Sequence, residues 1–135
     1  IQRQLFEQLI GDIARIQIGF EVNEIDLDNV ALQRIDELTN SLKDAFQLAE
    51  KLNLDANLII VGASDSSGVS STNERLSLQR ANNVKTALIN NGIPVSRLFS
   101  TGIGEIAFTS DVVATRRVMF NVLYTQTGQR DSSAP

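Results

Sequence analysis

The run LIIVGA, residues 58–63, is six apolar or small residues without interruption. It stands between two long segments whose apolar residues recur every three or four positions. A continuous run of that length, closed by a polar stretch, reads as a strand covered on both faces. The segment before it, DNVALQRIDELTNSLKDAFQLAEKLNL (28–54), places Ile35, Leu38, Leu42, Phe46, Ala49 and Leu52 on one stripe. That spacing predicts the longest helix, with Asp28 or Asn29 as N-cap and DAN (55–57) as its break. The segment after the run predicts a second helix from about Asn73 to Asn91, ended by Gly92 just past the last turn and by Pro94 soon after. A strand between two amphipathic helices restricts the chain to layered folds in which helices cover a sheet.

The flanking segments complete the layers. Leu5, Phe6, Leu9, Ile10 and Ile13 are spaced for a short amphipathic helix over 1–14. IQIGFEVN (16–23) alternates Ile16, Ile18, Phe20 and Val22, the period of a half-buried strand. A short strand RLFSTG (97–102), a loop at GIGE (102–105) and a last strand RRVMFNVLY (116–124) follow. The expected fold is an α+β two-layer sandwich: a βαβαββ-type mixed sheet with helices packed on one face, plus a short N-terminal helix. Residues 1–15 form a lead-in helix, 16–124 the domain, and 125–135 a polar, flexible C-terminal tail. At 135 residues one such domain buries roughly 70% of its unfolded surface and folds without a staple.

Composition removes several chemistries. Without Cys there are no disulfides or thiolate metal sites, and without His the commonest general base and metal ligand is missing. No metal or cofactor is expected. A net charge of −4 disfavours nucleic acid and anionic membrane surfaces. No apolar run approaches the ~20 residues of a membrane span, so this segment is not expected to insert. Its first residues lack the pattern of a secretory leader, and an Ile at position 1 reads as part of a longer chain.

The polar stretch SDSSGVSST (64–72) carries Asp65 just beyond the apolar strand, where α/β sites gather. On the following helix, Leu76, Arg80, Val84, Ala87 and Leu88 share a face, so Arg80 falls within an apolar stripe. A guanidinium there is costly unless paired and hydrogen-bonded. Asp65 is the natural partner, and two readings stand side by side. In one, a plain ion pair ties the loop to the helix. In the other, carboxylate and guanidinium are held apart and grip the ammonium and carboxylate of one small molecule, the fork of Arg suiting a carboxylate.

Enzymatic readings find little support. The loop serines have no His partner and no neighbouring Lys. An Asp65–Glu105 carboxylate pair has no further support. GASDSSG lacks the Lys of a phosphate-cradling loop, and only one carboxylate precedes Gly68 where a calcium loop needs several. The chain is expected not to be an enzyme.

The stretch LIIVGASDSSGVSSTNERLSLQRANNVKTALINNGI resembles the core of the OmpA-like peptidoglycan-binding domain. The residues that carry the resemblance are Gly62, Ser64, Asp65, Gly68, Asn73, Leu76, Ser77, Arg80, Ala81, Val84, Leu88, Gly92 and Ile93. TGIGE (101–105), RRV (116–118) and FEVNEIDLDN (20–29) are similar to further segments of that family, so the likeness spans about 16–124. It implies binding of the meso-diaminopimelate of the peptidoglycan stem peptide, with Asp65 on the amino group and Arg80 on the adjacent carboxylate. Asn73 and Ser67 would support, and Asn23 and Arg116 would line the groove. It implies a periplasmic anchor of an envelope protein. The chain departs from the family pattern in IAFTSDVVA (106–114), which is short and without Pro, and in Thr115, where the family has Asn.

Plainer roles exist for three of these residues: Asn23 as a turn residue, Asn73 as an N-cap, and one of Arg116 and Arg117 as a solvated side chain. The rival for the whole is an interaction module that keeps the fold without the wall ligand and forms a homodimer or docks a partner through the 1–14 helix.

Overall fold

The computed structural model describes residues 1–21, 23–64, 70–105 and 116–127. Its elements run α1 (Gln2–Arg15), β1 (Gln17–Gly19), α2 (Asn29–Lys51), β2 (Leu54–Ser64), α3 (Ser70–Asn90), a 3₁₀ turn (Val95–Arg97), β3 (Leu98–Glu105) and β4 (Arg117–Gln126). The four strands form one mixed sheet in the order β1-β4-β2-β3. β2 and β3 are parallel, joined through α3, while β4 runs antiparallel to both β2 and β1. This is the α+β architecture expected, helices on one face and a separate N-terminal helix.

The core lies between sheet and helices. Ile35, Leu38, Leu42, Ala45 and Ala49 of α2 and Ala81, Val84 and Leu88 of α3 meet Leu58, Ile60, Leu98, Val118, Phe120 and Val122 of the strands. α1 belongs to the same core. It buries Phe6 and Ile13, and Phe6 meets Tyr124 of β4 edge-on with ring centroids 5.0 Å apart. Among the described residues no helix is long and apolar enough to cross a membrane.

The helix ends follow their chemistry. Asp28 caps α2, its carboxylate accepting from the Ala31 N–H at 2.8 Å. α3 closes in a Schellman motif: Ile93 N–H donates to Leu88 C=O and Gly92 N–H to Ile89 C=O, with Gly92 at φ 101°.

Several boundaries differ from expectation. α2 ends at Lys51 because Asn53 takes the left-handed conformation at φ 58°. The segment 55–57, expected as a break, is already strand, with Asp55 exposed and Ala56 buried. β1 stops at Gly19, short of the strand expected to 23, and Val22 lies outside the described residues. GIGE belongs to β3 and is not a loop. β4 continues through Gln126, and the Thr127 N–H donates to Asn53 C=O, so the expected tail begins later; residues 128–135 lie outside the described residues. LIIVGA is covered fully on one face only. Leu58 and Ile60 are buried, Ile59 and Val61 half-buried, and Phe99, paired with Ile59, is 52% exposed.

Candidate functional site

α3 lies unusually close to the sheet. A Cβ on Gly62 would stand 1.8 Å from the Ser77 carbonyl oxygen, and one on Gly102 would stand 2.5 Å from the Leu78 nitrogen. Ser77, fully buried, donates from Oγ to Glu74 C=O at 2.8 Å and accepts at 3.0 Å from the N–H of Gly104, itself at φ 69°. Ser64 donates to the Asn73 carbonyl at 3.1 Å. These contacts fix the first turns of α3 against the C-terminal ends of β2 and β3. The chain segment holding Asp65 leaves from there.

Arg80 is the largest fully buried side chain, at 0% exposure. Its charge is met by main-chain oxygens from two directions. Nε donates to Glu24 C=O at 2.8 Å, Nη2 to Glu21 C=O at 3.0 Å and Nη1 to Ala63 C=O at 3.3 Å. The Phe20 ring lies beneath the guanidinium, 5.1 Å from centroid to Cζ. Three carbonyl dipoles and an aromatic face answer the desolvation that a buried cation incurs. Arg80 therefore joins β2, α3 and the residues Phe20, Glu21 and Glu24 at one end of the sheet.

Of the other expected site residues, Asp65 and Ser67 lie outside the described residues, as do Gly68 and the departure segment 106–115. Asn23 is exposed at φ 61°, a turn conformation that Asn tolerates. Asn73 is 4% exposed and lies inside α3, which begins at Ser70, so the N-cap role is overturned. Its Nδ2 is buried without a hydrogen-bond partner among the described residues. Arg116 donates from Nε to Phe20 C=O at 3.1 Å, and Phe20 N–H returns a bond to Arg116 C=O at 2.9 Å. Arg117 donates to Gln17 Oε1 at 3.0 Å; both arginines are half-buried, so neither is simply solvated.

One residue that the sequence did not single out belongs to the same cluster. Asn83 donates from Nδ2 to Ile25 C=O at 2.8 Å, across 58 residues of chain. No periodicity marks such a contact.

A groove of about 870 Å³ opens at the other end of the sheet, lined by Phe46, Asn53, Asp55, Ile93, Pro94 and Arg97 among others. It lies at the start of β2, whereas Arg80 contacts its end, and its Arg97 is already paired with Asp55. The charged constellation around Arg80, not this groove, is the better candidate site.

A family model described as the OmpA family matches residues 19–117. Solved structures share the fold. They include the peptidoglycan-associated lipoprotein from Burkholderia pseudomallei (TM-score 0.68, 20% identity, covering 82% of this chain and 92% of that one). The OmpA-like domain of FopA1 from Francisella tularensis matches at TM-score 0.63 and 17% identity, covering 82% and 71%. The periplasmic domain of Helicobacter pylori MotB matches at 0.61 and 16%, covering 85% and 74%. No curated protein sequence matches the chain.

Proposed function

Because the chain belongs to the OmpA family, we propose that it binds peptidoglycan without covalent chemistry, through the meso-diaminopimelate of the stem peptide, and holds an envelope protein to the cell wall in the periplasm. Asp65 takes the ammonium of the ligand's amino-acid centre and Arg80 its carboxylate, with Asn73, Ser67, Asn23 and Arg116 around them. The observation that carries this reading is the setting of Arg80. A guanidinium is enclosed at the end of β2, next in space to Ala63 and thus two residues from Asp65 in sequence. The buried, unpartnered Nδ2 of Asn73 on the same stretch of α3 is a second donor in want of an acceptor. A structural relative is itself described as peptidoglycan-associated, which supports the reading by analogy.

The ligand carboxylate would replace a carbonyl partner of Arg80, exchanging a dipole for a charge. Charge-assisted bonds contribute about 1.5–3 kcal/mol each. Two or three of them correspond to a Kd of roughly 1 μM to 1 mM, suited to a reversible tether present in many copies.

The enclosure of Arg80 also favours a second reading. With its cation answered internally, the residue serves as an internal strut, and the domain works as an interaction module without a wall ligand. Titration calorimetry with a diaminopimelate-containing muropeptide, against the lysine-containing form as control, separates the two. Saturable binding of the first alone supports wall anchoring; binding of neither supports the strut; equal binding of both removes the roles given to Asp65 and Arg80.

A further inference from the structure

The carbonyls of Glu21 and Glu24 flank the guanidinium of Arg80, and much of what fastens the described residues of this segment, Phe20, Glu21, Glu24 and Ile25, is side chain. Arg80 holds Glu21 C=O and Glu24 C=O, Arg116 holds Phe20 C=O, and Asn83 holds Ile25 C=O. Asn83 follows Arg80 by three positions on α3, so the two side chains leave the same helix face. One grips the middle of the segment and the other its far end. Asn83 is half-buried and uncharged.

We propose that Asn83 is a positioning residue for the wall-binding site: by holding Ile25, it keeps the Glu21 and Glu24 carbonyls in place and so fixes the plane of the Arg80 guanidinium. The inference rests on the reading of Arg80 as the carboxylate-binding group. The bond reaches a main-chain oxygen, so only a donor at position 83 can make it. An arginine side chain has many rotamers, and a binding site gains affinity when those are restricted before the ligand arrives. Releasing Ile25 frees the end of the segment next to Glu24, and with it the bond from Arg80 Nε to the Glu24 carbonyl, at 2.8 Å.

The test uses the full chain, a diaminopimelate-containing muropeptide and two variants, Asn83→Ala and Asn83→Asp. The second keeps the size of the side chain and lacks the donor at neutral pH. Both are expected to weaken muropeptide binding about fivefold, the equivalent of about 1 kcal/mol for one net hydrogen bond. Nitrogen-15 NMR supplies a readout that a general loss of stability would not move. The Arg80 Nε–H resonance should exchange with solvent at least about tenfold faster in both variants, while the Ala81 and Val84 amides of the same helix keep their protection. Wild-type affinity in both variants, or an unchanged Arg80 Nε–H exchange rate, would overturn the positioning role. So would loss of fold in either, which would make Asn83 a stability residue. Failure of the wild type to bind sinks the wall-anchoring reading and this one together, whereas variants that bind as tightly as a binding wild type sink this one alone.

Discussion

A methyl group at position 62 has nowhere to go. Its carbon would sit 1.8 Å from a helix main-chain oxygen, and neither a strand in the centre of a sheet nor the backbone of a helix can yield by that much. Gly62→Ala is expected to cost at least about 3 kcal/mol, read as a fall in the urea midpoint. Gly19→Ala is the control. Nothing lies within 4 Å of its Cβ position and its φ is not in the left-handed region, so it should stay within about 1 kcal/mol of wild type. Arg80 is the second residue on which much depends. Removing it leaves the carbonyls of Glu21, Glu24 and Ala63 without their donor, so Arg80→Ala should cost about 2–4 kcal/mol of stability as well as binding. From the sequence alone, either Asp65→Ala or Arg80→Ala is expected to lose the ligand and keep an intact fold. The burial of Arg80 removes that outcome for Arg80→Ala, and the wall-anchoring proposal leaves it expected for Asp65→Ala, checked by co-sedimentation with cell walls beside a melting curve. Arg80→Lys, which keeps the charge and loses the fork, should bind at least about tenfold more weakly.

At the scale of elements, α1 is the least expected contributor to stability. It reads as a lead-in helix, yet it seals the core with Phe6 and Ile13 and sets Phe6 against Tyr124. Phe6→Ala should therefore cost about 3–5 kcal/mol, measured by urea denaturation, and hydrogen exchange should show α1 opening first. The helices were legible because their stripes are long: Ile35 to Ala49 of α2 is buried as the three- and four-residue steps predict. The boundaries were not, for physical reasons particular to each. Asn53 ends α2 by adopting positive φ, while Asp55 and Asn57, polar and turn-like by type, are tolerated in β2 because alternate positions there face outward. The glycines of GIGE look like a loop because Gly has poor strand propensity. They are strand residues because α3 approaches the sheet too closely for side chains at 102, and Gly104 takes a left-handed φ. At the candidate site, Arg80 could be picked out by its misfit with its own stripe. Asn83 could not, since its partner is a main-chain oxygen that no side-chain pattern records.

Seen whole, the described residues form a sheet covered on one face. Val122 of β4 is buried beneath the helices while its neighbour Leu123 is 54% exposed. A threonine at each position should separate the faces: Val122→Thr is expected to cost about 1–2 kcal/mol by burying a hydroxyl, Leu123→Thr less than about 0.5 kcal/mol, compared by denaturant midpoint.

The arrangement also bears on how such a molecule would behave under tension. A pull at Ile1 meets α1 first, held largely by buried side chains, then β1, which pairs with β4 over three residues. Peeling both would leave a straightened segment at most roughly 65 Å long while β2, β3, β4 and α3 stay together. Next on the line come Glu21 and Glu24, whose carbonyls hold Arg80. Grip and fold are thus arranged in series, like links of one chain, and a load strong enough to straighten the first nineteen residues would next be felt at the guanidinium itself.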